Sequence, residues 1–228
     1  MDYLHTSRGG RTYAIILGTA AAVITMPTLY YVVKNVFTRR RRTQSQFTSS
    51  QFVLSAGAIS FEFVEDKPEK VLLVHYTRKN EWLLAKGRKD QGEDLAATAI
   101  REVFEETGYR CHIHPVPRLP TRAPPPVDPS AIAFQSDIVR IVEGGTEPFM
   151  ITIRPTSLSE AKLIFWYIGS VDIAASGQEG APSAPERGTH MALEGFGEAG
   201  LYPIEEALQM LTYEGDRDLV RTAVNILT

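Results

Sequence analysis

From Gly87 to Tyr109 the chain reads GRKDQGEDLAATAIREVFEETGY, and this stretch limits the fold more than any other. Asp94 is placed to cap a helix whose first N–H groups would otherwise lack acceptors. Gly108 is placed to end that helix in the left-handed conformation that glycine adopts without strain. At about 100° per residue, Glu102, Glu105 and Glu106 fall within an arc of about 100°, while Ala96, Ala99, Ile100, Val103 and Phe104 cover the opposite side. The spacing therefore predicts a helix over Asp94 to Thr107 with a buried apolar face and an exposed face carrying three carboxylates.

Like charges at i, i+3 and i+4 oppose a helix by roughly 0.2–0.5 kcal/mol per pair, so a neutralising partner is expected. Carboxylate oxygens without nearby His or Cys favour Mg²⁺, with Mn²⁺ as the substitute, over zinc. A metal held there offsets the charge of a leaving phosphate and lowers the pKa of an attacking water. Lys86, Arg88 and Lys89 precede the helix and supply cations for phosphate oxygens, and Gly87 lets a backbone approach closely. The only cysteine, Cys111, excludes an intramolecular disulfide and a Cys-rich metal centre. His112 and His114 alternate on one strand face, with no third ligand type beside them to make a metal site.

Around the helix, β-type patterning covers Phe52 to Phe63, Lys70 to Tyr76 and Glu81 to Leu84 before it, then Tyr109 to His114, Phe149 to Arg154 and Leu163 to Ser170 after it. Ile204 to Leu211 and Arg217 to Leu227 read as closing helices, which makes the fold class α+β. Residues 115–129, with seven prolines, and residues 173–200, rich in Gly, Ala, Ser and Glu, read as surface insertions. Trp82 and Trp166 read as core.

The Gly87 to Tyr109 residues resemble the Nudix box, G-x5-E-x7-R-E-U-x-E-E-x-G-U with U a bulky apolar residue, at every specified position. Seven fixed identities coincide by chance with a probability on the order of 10⁻⁸ per starting position at average residue usage. The resemblance implies a Nudix fold, a mixed sheet sandwiched between helices, over roughly residues 52–228. It implies that Glu102, Glu105 and Glu106 are metal ligands, with the Gly87 carbonyl as a further one. Glu93 and Arg101 would be the ion pair that orients the loop and the catalytic helix. A further acidic residue from a distant loop would act as ligand or base. Glu186, Glu194 and Glu198 are the candidates, Glu198 first because it precedes LYPIEEAL, which resembles the start of the family's C-terminal helix. The family often shows Pro before the Lys-Gly that opens its box; Ala85 stands here and affects only the local turn. The run KGRKDQGE is similar to Nudix proteins of fungal type.

The activity so implied is Mg²⁺-dependent hydrolysis of a phosphoanhydride. Lys86, Arg88, Lys89 and Arg101, with Arg118 and Arg122 in the proline-rich stretch, point to a polyphosphorylated small molecule of the diadenosine or diphosphoinositol polyphosphate kind. Prolines 15 to 17 residues beyond the box point instead to ADP-ribose or another nucleoside diphosphate sugar. A non-catalytic binding module of the same fold would be expected to have lost box carboxylates, and this chain keeps them all. No nucleic-acid partner is expected.

Residues 1–45 hold seven Lys or Arg against Asp2 alone, whereas acids outnumber bases in the remainder. From Thr12 to Val33 no residue is charged, and a helix of that length spans roughly 33 Å at 1.5 Å per residue, against a bilayer core of about 30 Å. Arg8 and Arg11 precede the segment, while Lys34 and Arg39 to Arg42 follow it, which puts the C-terminal side in the cytosol. The expected organisation is an anchor over 1–45, a polar linker over 46–51 and a catalytic domain over 52–228. Pro27, Gly18 and four threonines weaken the segment, and an Arg-rich, acid-poor start also suits a cleaved presequence for mitochondria. The full-length protein is expected to sediment with membranes and to resist carbonate extraction, and removal of residues 1–45 to release a soluble domain. A soluble full-length chain, or one found cut near residue 40, would point to the presequence instead.

Overall fold

The computed structural model describes residues 45–124, 137–157, 159–173 and 195–228. Among them the chain runs β1 (Phe52–Val64), β2 (Lys67–Tyr76), β3 (Glu81–Leu83), β4 (Lys86–Arg88), α1 (Leu95–Thr107), β5 (Cys111–Ile113) and β6 (Leu119–Thr121). It continues with β7 (Arg140–Val142), β8 (Met150–Pro155), β9 (Ala161–Val171), β10 (Phe196–Pro203), α2 (Ile204–Met210) and α3 (Glu214–Leu227).

β1 is buried on both faces from Ser55 to Phe61, as a strand must be when layers cover each side of its sheet. On one edge β9 runs parallel to it, from the pair Phe52 and Ala161 to the pair Phe61 and Ser170. On the other edge β2 and β4 pair with it antiparallel. β10 and β3 extend the sheet from β2, and β5 and β8 extend it from β9, giving an eight-stranded mixed sheet. β6 and β7 form a separate two-stranded ribbon. This is the expected α+β sandwich.

Period-2 alternation divides the core into two layers. Ala56, Ala58, Leu72 and Val74 face α1, where they meet Ala99, Val103, Tyr109 and Tyr167. Ile59, Phe61, Val71, Leu73 and Trp166 face the other way and meet Ala207, Leu211, Leu219, Val220 and Ala223 from the C-terminal helices. Each fully buried Ile, Leu, Val or Phe contributes about 1.5–3 kcal/mol by leaving water. Trp166 is core, as its sequence context suggests, and its indole N–H is satisfied by Thr152 Oγ1 at 3.0 Å.

Three elements depart from the sequence reading. Lys86 to Arg88, expected as loop, is a strand, because β1 offers it backbone partners at Ser55, Ala56 and Gly57. The second expected insertion ends earlier than residue 200: Phe196–Pro203 is strand β10, paired with β2, and Ala199 is fully buried. Part of the first, Leu119–Thr121, pairs with β7, and Leu119 and Val116 are core. The expected membrane segment Thr12–Val33 lies outside the described residues; among those described, no helix is long and apolar enough to cross a membrane.

The close approach of β1 and β4 depends on Gly57. A Cβ there would meet the Ala85 carbonyl oxygen, Lys86 Cβ at 2.7 Å and the Trp166 ring at 2.8 Å, so backbone would have to move. Gly57→Ala is therefore expected to cost about 3 kcal/mol by overpacking, read as a fall in Tm of roughly 10 °C by calorimetry. An unchanged Tm would mean that β4 is not seated this tightly.

Candidate active site

α1 begins and ends where its caps dictate. Asp94, extended at φ −89°, accepts the Ala97 N–H at 2.8 Å, and Gly108, at φ 76°, donates its N–H to the Phe104 carbonyl. Its buried residues are Thr98, Ala99, Glu102, Val103, Glu106 and Thr107. At 100° per residue these follow one another around half the helix, so two of the three carboxylates belong to the buried half. The sequence reading of an exposed carboxylate face thus needs correction, as does that of Phe104, which is 44% exposed and carries the Arg110 guanidinium over its ring. The cause is β4, which lies across the Glu102 side of the helix.

Backbone meets carboxylate there at two points. The Lys86 N–H donates to Glu106 Oε2 at 3.0 Å. Beside it, the Glu102 carboxylate fills the space that any side chain at position 87 would need, so only glycine fits. Glu105 is the most open of the three, at 36% side-chain exposure.

Arg101 holds the set together. Its Nε and Nη2 bond Glu93 Oε1 and Oε2 at 2.9 and 3.0 Å in a two-pronged pair. Nη1 donates to Glu102 Oε1 at 2.9 Å and Glu105 Oε2 at 2.7 Å, and Nη2 also donates to the Arg88 carbonyl at 2.9 Å. One guanidinium thereby joins the loop, the helix and β4. Glu93 accepts further from Thr98 Oγ1 at 2.7 Å and the Asp90 N–H at 3.1 Å. Arg101 above all, then these two donors, hold the Glu93 carboxyl down at about 2 against the opposing effect of burial. The guanidinium in turn is held protonated by Glu93 first and by Glu102 and Glu105 after it.

The donor set at Gly87, Glu102, Glu105 and Glu106 is all oxygen, which fits a hard cation such as Mg²⁺. The Gly87 backbone lies against the Glu102 carboxylate with no side chain between them, which adds to that fit. Among the described residues no three His, Cys, Asp or Glu side chains converge on a single point. Glu102 and Glu105 instead share Arg101 Nη1, and Glu106 takes the Lys86 amide.

The other expected residues are more scattered. Lys86 and Arg88 stand on β4, and Lys89 Nζ bonds the Asp90 carbonyl at 2.9 Å. Glu198 lies within β10 and accepts from the Tyr202 hydroxyl at 3.2 Å; no described hydrogen bond links it to the Arg101 set. Glu186 and Glu194 lie outside the described residues. Arg122 is paired with Asp137 at 2.9 Å, and Arg118 sits exposed in a turn. His112 Nδ1 faces Asp172 at 3.2 Å while the His114 ring stacks on Phe63, which leaves no histidine metal pair. Arg154 on β8 and Lys162 on β9 were missed: each lies in an ordinary strand, and only strand pairing sets them opposite one another.

A family model described as the NUDIX domain matches residues 55–172, just over half of the chain. Over 55 residues the chain is 47% identical to nucleoside diphosphate-linked moiety X motif 6 of Xenopus laevis, a stretch covering 23% of this chain and 24% of that protein. The chain thus spans about a quarter of the length of that curated relative. Its fold is similar to the crystal structure of the C. elegans Ap4A hydrolase, with 16% identity, a TM-score of 0.45, and coverage of 78% of this chain and 99% of that one. It is also similar to a NUDIX hydrolase from Nitrosomonas europaea, with 14% identity, a TM-score of 0.41, and coverage of 82% and 76% respectively.

Arg101→Lys keeps the charge but replaces a five-donor fork with a single ammonium. It is expected to lower stability by about 2 kcal/mol through the lost bonds. Glu93, with its pKa depressed to about 2 from an ordinary 4.5, contributes stability that is complete above pH 4.5 and lost as the pH falls toward 2. Glu93→Gln should therefore flatten the dependence of unfolding free energy on pH in that window. An acid limb identical to wild type would show that the Glu93–Arg101 pair does not form.

Proposed function

Because the chain belongs to the Nudix family, we propose that it hydrolyses the diphosphate linkage of a small-molecule substrate, with Mg²⁺, or Mn²⁺ in its place, as cofactor. The observation that carries this reading is the burial of Glu102 and Glu106 against β4, at 8% and 5% exposure, beside the half-open Glu105. Glu93, Glu102 and Glu105 share one guanidinium and Glu106 adds a fourth carboxylate beside them, which leaves an excess of negative charge that calls for a cation. Glu102, Glu105, Glu106 and the Gly87 carbonyl would hold it. When bound, such an ion neutralises phosphate charge and lowers the pKa of an attacking water.

The chain's own residues do the rest. Gly87 keeps the β4 backbone within reach of the carboxylates, because any larger residue would displace Glu102. Arg101 fixes the rotamers of Glu102 and Glu105 from behind, and Glu93 fixes Arg101. Arg101 is therefore a positioning residue, its donors consumed within the protein. Arg88 and Lys86, on the strand beside the cluster, are left to meet phosphate oxygens. Their number favours substrates with more than two phosphates, of the diadenosine or diphosphoinositol polyphosphate kind, over ADP-ribose. The uncharged Thr12–Val33 segment, flanked by arginines, supports a tether that presents this domain to the cytosol at a membrane.

Incubation of the protein with Mg²⁺ and dinucleoside polyphosphates, diphosphoinositol polyphosphates or ADP-ribose, with the cleavage products separated by chromatography, tests the reading. Glu105→Gln, which removes charge but no core volume, should fold normally and lose most turnover. Gly87→Ala should lower kcat about 10²-fold by displacing the Glu102 carboxylate. Wild-type turnover in Glu105→Gln at saturating Mg²⁺ would remove the metal assignment, and efficient cleavage of ADP-ribose alone would overturn the substrate choice.

A further inference from the structure

On the face of the sheet that packs against α3, a cavity of about 390 Å³ is lined by Lys86, Arg154, Trp166, Tyr213 and Asp216 among others. Three strands, β4, β8 and β9, place four cations on this face, of which Lys86 and Arg154 line the cavity. Lys86 pairs with Gly57 on β1, which lies beside Trp166 of β9, and Arg88 pairs with Ser55, which lies beside Ile164. Two residues before Ile164, Lys162 stands directly opposite Arg154 across the β8–β9 ladder. All four cations share one side of the pleat, since Lys86, Arg88, Arg154 and Lys162 each sit in register with residues of that face. Between them β1 contributes only a glycine and a serine, and the Trp166 ring lies over the glycine.

Like charges placed directly across a ladder destabilise it. No described carboxylate forms an ion pair with Arg154, Lys162, Arg88 or Lys86, although acids stand in the same cavity. Glu81 accepts from the Tyr213 hydroxyl at 2.6 Å, and Asp216, hydrogen-bonded to the backbone at Leu84, feels the charges of Lys86 and Arg154 without forming an ion pair with either. Ser55 Oγ, fully buried on the same face between β4 and β9, has no hydrogen-bond partner. Burial, and after it Lys86 and Arg154, lower the affinity of Lys162 for its proton against the opposing charge of Glu106. Two arginine forks and two ammoniums arriving from three strands fit a tetrahedral, multiply charged anion better than a carboxylate, which carries a single charge.

We propose that Arg154 and Lys162, with Lys86 and Arg88, form a cradle for a phosphate group of the substrate other than the two joined by the bond that is cut. The proposal rests on the hydrolase reading above for its biological sense. Lys86 links the two places: its backbone N–H holds Glu106 and its side chain lines the cavity, so a chain of phosphates passing over β4 would touch both. Arg154 and Lys162 are then specificity residues, which discriminate a polyphosphorylated compound from a simple diphosphate.

The test is calorimetric titration of the full-length chain with inorganic tripolyphosphate in the absence of divalent metal. Wild type should bind, and Arg154→Gln and Lys162→Gln should each weaken binding about tenfold, the loss of one charge-assisted hydrogen bond. Arg154→Lys should retain most of the affinity. Lys67→Gln, which removes an exposed cation at the start of β2, should change nothing. Thermal melts of the variants check folding, and relief of like-charge contact predicts no loss of stability. Failure of wild type to bind, affinity unchanged in both Gln variants, or an equal loss in Lys67→Gln would each overturn the cradle. Because neither metal nor turnover enters the measurement, its failure leaves the hydrolase reading standing, and absence of turnover leaves the cradle standing.

Discussion

The guanidinium of Arg101 is the constraint on which the site depends. It spends all five of its donors inside the protein, on Glu93, Glu102, Glu105 and the Arg88 carbonyl. A carboxylate buried alone is costly, and two adjacent ones cost more, because each destabilises the charged form of the other. One planar cation with fixed donor directions offsets part of that cost and sets where the carboxylates point. Glu93, itself held by Thr98 and the Asp90 amide, keeps the cation from turning away.

That arrangement is stable only because β4 lies where it does. Three residues, Lys86 to Arg88, make a strand too short to persist alone, and β1 supplies the ladder that fixes it. Gly57 and Gly87 permit the two close approaches involved, one between β1 and β4 and the other between β4 and α1. The sheet thereby brings a backbone edge, a helix face and a row of cations to the same few residues. The box carboxylates lie on the α1 side of that edge, whereas on the α3 side Lys86, Arg88, Arg154 and Lys162 outnumber Glu81 and Asp216. Such separation creates a field that orients an elongated anion, negative groups being drawn to one face and a cation to the other.

Much of this was legible in the sequence, at the level of local chemistry. The Asp94 cap, the Gly108 terminus and the strands either side of the helix follow from residue type and spacing, the pairing of Glu93 with Arg101 from the resemblance to the Nudix box, and each stands where it was expected. Helix caps and i, i+4 neighbours are read from a few adjacent residues, which is why they survive the step from sequence to structure. The pairing of Arg122 with Asp137 was not legible, because Asp137 is fifteen residues away and carries no signal of it.

What the sequence by itself determined is the box: the identity of its carboxylates, the arginine that binds them and the helix that bears them. Only the tertiary structure decided that Glu102 and Glu106 are buried, that Lys-Gly-Arg is a strand, that Phe196–Pro203 joins the sheet, and that Arg154 faces Lys162. The reason is the range of the interactions. A cap or a helical face is settled within a turn or two of chain, whereas burial and strand register depend on partners some 20 to over 100 residues away. The Lys86 amide meets Glu106, and Gly195 at the threshold of β10 takes the hydrogen bond of Thr77 Oγ1, only once the backbone has folded to bring them together.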